Sequence, residues 1–497
     1  MKRPSGDDII RFARDNRIIL ALLAAAVIIY VFSFQAECET PDGIEYMRAG
    51  KELTTGNYPY NMLFRPPLLP VLFEMLTTTG LSILSVRFIV PLFFTLLAVA
   101  ATYLLAKDIS GKRAGEISAA LLLCFSEFWG WSARFLTDIP MVSLTAFSLL
   151  FLIRWNSTGN RKNLAWAVVA MAAAVFTKPT ALLLPAAVFL LFLTPAKKML
   201  KGGRPLLCTL MATFAVSAAI SLLWYGGGDS IRPFGEIVYG KYIDVLYPAR
   251  LVLFPLLVFL PLGILPLWNS KGAEMKRLLL LYSLAFCWLI FFFWVIRLRY
   301  FSPLYPIMML CITEGFFWAK SKKSPVRKFI VPVFIVLAAA SFVNATYIIG
   351  LNSGALWGAE TLSSYTRTLE GQIASDYLPD YLNLTAPAIT NSGVLKNLFY
   401  GSSPSADGLK ASGAKYIMLS VYGEFARAPS AETYHPTFLG VEVPFVSRPY
   451  TNERVPPSYT FRSDLYAQIE SDASFTKIKE ISSPSGQKLF LVYEFTG

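Results

Sequence analysis

The feature that most constrains this chain is a series of long apolar runs bounded by short basic segments. They lie at 18–34, 83–106, 117–133, 139–155, 164–177, 180–194, 206–225, 251–268, 278–296, 301–319 and 329–350. Each approaches the roughly 20 residues that a helix needs to cross a bilayer, those between 139 and 194 being the shortest. Only 15% of residues are charged and 55% are hydrophobic, whereas soluble domains average about 25% charged. The expected fold is a mainly α-helical polytopic membrane protein with about eleven transmembrane helices.

The basic residues test that count. Residues 1–350 hold 34 Lys and Arg against 18 Asp and Glu, and residues 351–497 hold 11 against 14. The net charge of +13 therefore belongs to the apolar half, where the positive-inside rule accounts for it without nucleic acid. Lys and Arg gather before the first run, at 107–113, 154–162, 197–204, 271–277 and 320–328, that is, at every second connection. This alternation predicts a cytoplasmic N-terminus and extracytoplasmic loops at the other connections. The first run is long for a signal peptide and no A-x-A-like site follows it, so it reads as a retained span.

Residues 351–497 change character, with short apolar runs punctuated by Pro, Ser and Gly. The predicted domains are 1–350, transmembrane with a long first outer loop at 35–82, and 351–497, an extracytoplasmic α/β domain. In the latter, Ala388–Thr390, Lys415–Ser420 and Lys488–Tyr493 read as strands, 369–382 as a helix and Asn383 as a glycosylation acceptor. Four of the five cysteines, Cys124, Cys208, Cys287 and Cys311, fall inside apolar runs, which excludes a disulfide framework. A single histidine, His435, argues against a His-ligated metal.

Charged residues on the predicted outer face are the candidates for chemistry. The first loop carries Asp42, Glu45, Tyr46 and Arg65. Arg134 and Asp138 follow the third run, Lys178 the fifth, Arg232, Lys241 and Arg250 the seventh connection, and Arg297, Arg299 and Tyr300 the ninth run. Each has a structural reading. Asp42 with Glu45 matches a capping box, and Asp138 before Pro140 suits an N-cap. Lys178 and Arg65 could extend towards lipid headgroups. Their convergence from separate loops on one face is what favours a site, because bases on the outer side run against the positive-inside tendency.

Five short elements then resemble, in order and side, the GT-C class of membrane glycosyltransferases, within it the protein O-mannosyltransferases and lipid A aminoarabinose transferases. They are Asp42-Gly43-Ile44-Glu45-Tyr46, Arg65-Pro66-Pro67-Leu68, Thr137-Asp138-Ile139-Pro140, Phe176-Thr177-Lys178-Pro179 and Arg299-Tyr300-Phe301-Ser302-Pro303 with Pro306. The resemblance covers about residues 1–320, with Gly43 standing where the mannosyltransferases have a second acid. It implies a polyprenyl-phosphate (dolichyl-phosphate) sugar donor, an acceptor that is a protein, lipid or glycan, and residence in the cell membrane or endoplasmic reticulum.

The chemistry that fits is inverting transfer. Asp42 is the candidate base for the acceptor, and Asp138 orients the acceptor or pairs with Arg134 or Lys178. Arg65, Lys178, Arg299 and Tyr300 are the candidates for binding the departing phosphate, with Glu45, Tyr46, Arg134 and Arg297 in support. Asp42 and Asp138 could also hold Mg²⁺ or Mn²⁺, which favour oxygen ligands. The alternative is a transporter or flippase for a lipid-linked anion, and a third reading is a scaffold presenting the tail. Glu127, Arg87 and Glu314 lie inside apolar runs and none of these readings uses them.

Overall fold

A computed structural model describes residues 14–34, 41–55, 66–182, 254–269, 274–292, 298–322, 325, 327–366, 368–375, 410, 413–420, 437–438, 441–442, 468–482 and 488–496. Two compact units divide it: residues 1–32 with 50–346, and residues 33–49 with 347–497. Spans expected at 180–194 and 206–225 lie wholly or mostly outside the described residues. So do Arg232, Lys241 and Arg250, the strand expected at 388–390 and Asn383.

The first unit is helical. Its described helices are α1 (Arg17–Ser33), α2 (Pro41–Thr55, shared with the second unit), α3 (Leu68–Thr78), α4 (Ile83–Ser110), α5 (Lys112–Leu123), α6 (Ser126–Ser132), α7 (Asp138–Thr158) and α8 (Arg161–Thr177). After them come α9 (Leu260–Asn269), α10 (Glu274–Phe292), a 3-10 turn (Leu298–Leu304), α11 (Tyr305–Ser321) and α12 (Arg327–Thr366, also shared with the second unit). Among the described residues, Ile83–Ser110, Asp138–Thr158 and Arg327–Thr346 are long and apolar enough to cross a membrane. Exposed side chains such as Val336 (65%), Trp166 (58%) and Ile28 (57%) are those a lipid phase would cover.

Tight glycine turns fold α4 back onto α5 and α7 back onto α8. Gly111 (φ +94°) ends α4, its N–H bonding the Lys107 carbonyl at 2.8 Å. Gly159 (φ +66°) closes α7 in the left-handed region that favours glycine. Asn160 then caps α8 by accepting from the Lys162 N–H at 3.0 Å. Because these turns are short, the starts of α4 and α7 and the end of α8 lie at one end of the bundle.

Two expectations are corrected here. The span expected at 117–133 is broken: α5 stops at Leu123, and Cys124 and Phe125 intervene before α6. The interval 35–82 is no plain loop, since α2 and α3 occupy much of it. Polar composition hid α2, and α3, though apolar, has only 11 residues, too few for a reading based on apolar length.

Helices α9 and α11 meet at close range. A Cβ on Gly263 would lie 1.7 Å from the Cys311 carbonyl oxygen, and one on Gly315 would lie 2.1 Å from that of Phe259. Small residues let helix backbones meet where lipid supplies no hydrophobic drive between helices. Gly263→Leu should therefore separate α9 from α11 and lower the thermal midpoint in detergent, overpacking costing about 1–3 kcal/mol or more.

In the second unit a four-stranded sheet runs in the order β1 (Ile373–Ser375), β2 (Tyr416–Ser420), β6 (Lys488–Phe495), β5 (Phe475–Ser482). β1 pairs parallel with β2, and the other pairs are antiparallel. A separate hairpin joins β3 (Thr437–Phe438) and β4 (Val441–Glu442). The strands expected at 415–420 and 488–493 are present, and β5 was not anticipated. The helix expected over 369–382 is corrected: Ile373–Ser375 is a strand, held by the Gln372 carbonyl, which accepts from the N–H groups of Lys415 and Tyr416 at 2.8 and 3.0 Å. Gly371 at φ +133° breaks any helix just before it. Helix α12 runs through residue 350 to Thr366.

Beside the sheet, Asp472 pairs with Lys410 at 2.5 Å and accepts from the Ser474 hydroxyl at 2.6 Å. Lys410 first, then Ser474, hold its carboxyl down at about 2. A depressed carboxyl contributes stability above its unfolded value near 3.9, and that contribution disappears as pH falls towards 2. Hydrogen exchange in β5 and β6, corrected for intrinsic rates, should rise below about pH 4, and less so in Asp472→Asn.

Candidate functional site

Three of the resembling elements meet in the first unit. Asp138 lies in the first turn of α7 and is 2% exposed. The N-cap expected of it is corrected: Thr137 holds that position, without a side-chain cap bond, and Asp138 is inside the helix. Its carboxylate instead accepts from Lys178 Nζ at 2.9 Å. The local sequence explains how Lys178 arrives. A residue before proline is driven out of the helical region, and Lys178, preceding Pro179, is extended at φ −156°, ψ 122°. Helix α8 therefore stops, the chain turns into a 3-10 segment (Pro179–Leu182), and the ammonium reaches the start of α7. A carboxylate in the first turn also complements the helix dipole.

Packing ties this ion pair to the turn that carries Arg299 and Tyr300. Met141, one turn beyond Asp138, shares a core with Ala181, Leu304 and Ile307, and Phe301 packs against it. The Thr180 hydroxyl also contacts the Met141 sulfur at 3.7 Å. The 298–304 turn lies against both α6 and α7. At Arg299 and Tyr300 the description extends to the backbone only. Phe73 of α3, the helix that follows Arg65-Pro66-Pro67, meets Phe135 edge to face at 5.7 Å, just before the ion pair. Arg134 (4%), Glu127 (4%) and Arg87 (1%) are all buried in this unit.

An apolar cavity of about 540 Å³ opens between α9, α10 and α11. Phe301 and Leu304 of the 298–304 turn line it, as do Phe125, Ser126 and Glu127. Residues 125–138 thus run from the cavity wall at one end to the ion pair at the other. The volume lies within the roughly 300–1,000 Å³ usual for ligand pockets.

The remaining predicted residues belong to the second unit or lie outside the described residues. Asp42 is half-buried in the first turn of α2 and belongs, with exposed Glu45 and buried Tyr46, to the second unit. Arg65 and Arg297 lie outside the described residues. Among the described residues no group of three or more His, Cys, Asp or Glu could hold a metal ion. At Asp138 a divalent ion would have to displace the Lys178 ammonium, which lies 2.9 Å from the carboxylate. Arg87 and Glu127 are the charges that the site reading passed over. Their signal was in the sequence, since an ionisable residue inside a membrane span is costly and marks a functional place.

Residues 65–224 match the family described as dolichyl-phosphate-mannose-protein mannosyltransferase. Among solved structures, ArnT from Cupriavidus metallidurans in the apo state aligns at a TM-score of 0.52 and 12% identity, over 95% of this chain and 97% of that one. The same protein bound to undecaprenyl phosphate aligns at 0.51 and 12%, over 96% and 98%. The Archaeoglobus fulgidus oligosaccharyltransferase tethered to an acceptor peptide aligns at 0.50 and 13%, over 94% and 80%. No curated protein matches. The fold is that of the GT-C class of membrane glycosyltransferases. The matched interval includes Asp138 and Lys178, and the structural likeness extends through both units of the chain.

Within this GT-C fold the ion pair should behave as a buried one. Lys178→Met leaves a buried carboxylate uncompensated, which typically costs about 3–5 kcal/mol. Adding Asp138→Asn should recover much of that loss in thermal unfolding of the purified protein. If Lys178→Met were as stable as the parent, the pairing would be refuted.

Proposed function

We propose that this chain is an inverting glycosyltransferase that moves a sugar from a polyprenyl-phosphate donor to an acceptor at the outer membrane face. The observation that carries this is Lys178, held by the buried Asp138 carboxylate at 2.9 Å in a core shared with the 298–304 turn. As the glycosidic bond breaks, the leaving phosphate gains negative charge. A fixed cation shielded from water stabilises that charge more than a mobile one in solvent. Lys178 supplies it, with Arg65, Arg299 and Tyr300 as further donors and Arg297 and Arg134 in support. Asp138 acts through Lys178, orienting the ammonium.

The cavity beyond the turn suits an isoprenoid, being walled by Leu, Ile and Phe. Undecaprenyl phosphate bound to ArnT, whose fold this chain shares, supports a lipid phosphate as the donor's carrier. Asp42 is the base that takes the acceptor's proton, with Tyr46 and Glu45 supporting its helix, and direct attack by the acceptor inverts the anomeric centre. The family match and the fold favour transfer over transport.

The same reading proposes about eleven spans, a transmembrane domain at 1–350 and an extracytoplasmic domain at 351–497 that receives the acceptor. The N-terminus is then cytoplasmic. Basic residues at the bundle end opposite the ion pair, such as Lys112, Arg113, Arg161 and Lys162, support that orientation.

Incubating the purified protein with a panel of polyprenyl-phosphate sugars and an acceptor membrane extract should release free polyprenyl phosphate from at least one. Asp42→Asn should lower that turnover by about 10²–10⁴-fold while still binding the lipid, the usual contribution of a positioned base. Full turnover in Asp42→Asn would remove Asp42 from this role.

A further inference from the structure

The cavity beside the 298–304 turn has a length, a stop and a side opening. Leu257, in the 3-10 turn (Pro255–Phe259) before α9, lines it with Leu260, Ile264 and Trp268. This spacing of three or four puts them in one stripe along the helix. From 257 to 268, at about 1.5 Å per residue, the stripe is about 16 Å long. It starts at the 298–304 turn: Phe254 meets Phe125 at 4.7 Å, and Phe125 meets Tyr305, the residue after the turn, at 4.8 Å. It stops at Trp268. The Arg277 Nε donates to the Trp268 carbonyl at 2.8 Å, and the guanidinium lies 5.7 Å from the ring centroid. Arg277 is in the first turn of α10, whereas the 298–304 turn follows the opposite end of that helix. A tryptophan at a helix end commonly just sits at headgroup level, but this ring is a cavity wall held from a second helix. Ile264 and Leu284 line the cavity and are nevertheless 41% and 40% exposed. Between α9 and α10 the cavity therefore opens sideways, onto surface that a lipid phase would cover.

We infer that the cavity takes only the three or four isoprene units next to the phosphate. Trp268 stops them there, and the rest of the carrier leaves sideways into lipid between α9 and α10. This rests on the glycosyltransferase reading, which gives the cavity to an isoprenoid. Two measures of size agree. With bonds of about 1.5 Å, the four chain carbons of an isoprene unit span about 5 Å, so the stripe fits about three units. At interior packing density a carbon with its hydrogens takes about 25 Å³, so the 540 Å³ cavity holds about four. A tail already dissolved in lipid gains nothing from leaving water. Its affinity comes from packing against the walls, and the gain ends where the walls end.

The test measures equilibrium binding of sugar-free geranyl, geranylgeranyl and undecaprenyl phosphate to the full-length protein in nanodiscs, with each affinity expressed per mole fraction in the disc. Geranylgeranyl phosphate should bind about tenfold or more tighter than geranyl phosphate, since about ten more carbons find walls. Undecaprenyl phosphate should then match geranylgeranyl phosphate within about threefold. Trp268→Ala lets a longer stretch in and should raise the undecaprenyl-to-geranylgeranyl affinity ratio by about threefold or more. Ile264→Trp with Leu284→Trp fills the side opening and should lower the same ratio by about tenfold, with Leu284→Trp alone as the milder variant should the pair not fold. Affinity that climbs steadily from geranylgeranyl to undecaprenyl phosphate, no gain from geranyl to geranylgeranyl phosphate, or a ratio that these variants leave unmoved would overturn the inference. So would displacement of geranylgeranyl phosphate by dioleoyl phosphatidate at equal mole fraction, which would make an ordinary phospholipid the occupant. The expected binding pattern with no release of polyprenyl phosphate from any sugar donor would instead defeat the glycosyltransferase reading alone.

Discussion

The ion pair between Asp138 and Lys178 is the contact on which the rest of this site depends. Charges inside a bundle of apolar helices are expensive, and a pair survives there only when each charge has a partner. The chain meets this demand with local devices. Pro179 ends α8 and extends Lys178 at φ −156°, and Asp138 takes the first turn of α7, where the helix dipole favours an anion. What results is a cation of fixed position, its side chain mostly shielded from solvent. A departing phosphate needs such a cation, and a flexible surface lysine could not supply it.

Around the pair, the bundle is held by contacts too close for ordinary side chains. Gly263 and Gly315 bring α9 and α11 together until backbone meets backbone. That closeness shapes the cavity, since α9, α10 and α11 are its walls. The 298–304 turn joins cavity to ion pair, with Phe301 and Leu304 on one and a shared core with Met141 towards the other. A lipid with an apolar tail and an anionic head requires the same ordering.

Much of this was legible from residues alone. Apolar run length identified a membrane protein, because backbone groups in lipid must be satisfied within a helix. The short elements around Asp138, Lys178 and Arg299 pointed to the GT-C class, and fold and family match agree. Apolar length failed where helices are polar or interrupted. Helix α2 is polar, α3 is apolar but too short to stand out, and the break at Cys124 falls inside an apolar run. The strand at Ile373–Ser375 falls within a stretch whose local pattern reads as helix, because its pairing with Tyr416–Met418 is a distant contact that local propensity does not register. Asp138 before Pro140 suits a cap, a carboxylate that orients the acceptor or a partner of Arg134 or Lys178, and neighbouring residues do not choose among them. The carboxylate that suits a cap equally suits an ammonium brought from a position 40 residues away.

By itself the sequence determined the solvent this chain folds in, the places where its helices must stop and the kinds of charge that gather at one end. Those follow from composition and neighbouring residues, through hydration of the backbone and the fixed geometry of proline and glycine. Only the tertiary structure decided which charge meets which. It joined Asp138 to Lys178, set the 298–304 turn against α7 and left Glu127 on a cavity wall. Such pairings depend on how helices distant in sequence pack, and no local pattern encodes a distance between them.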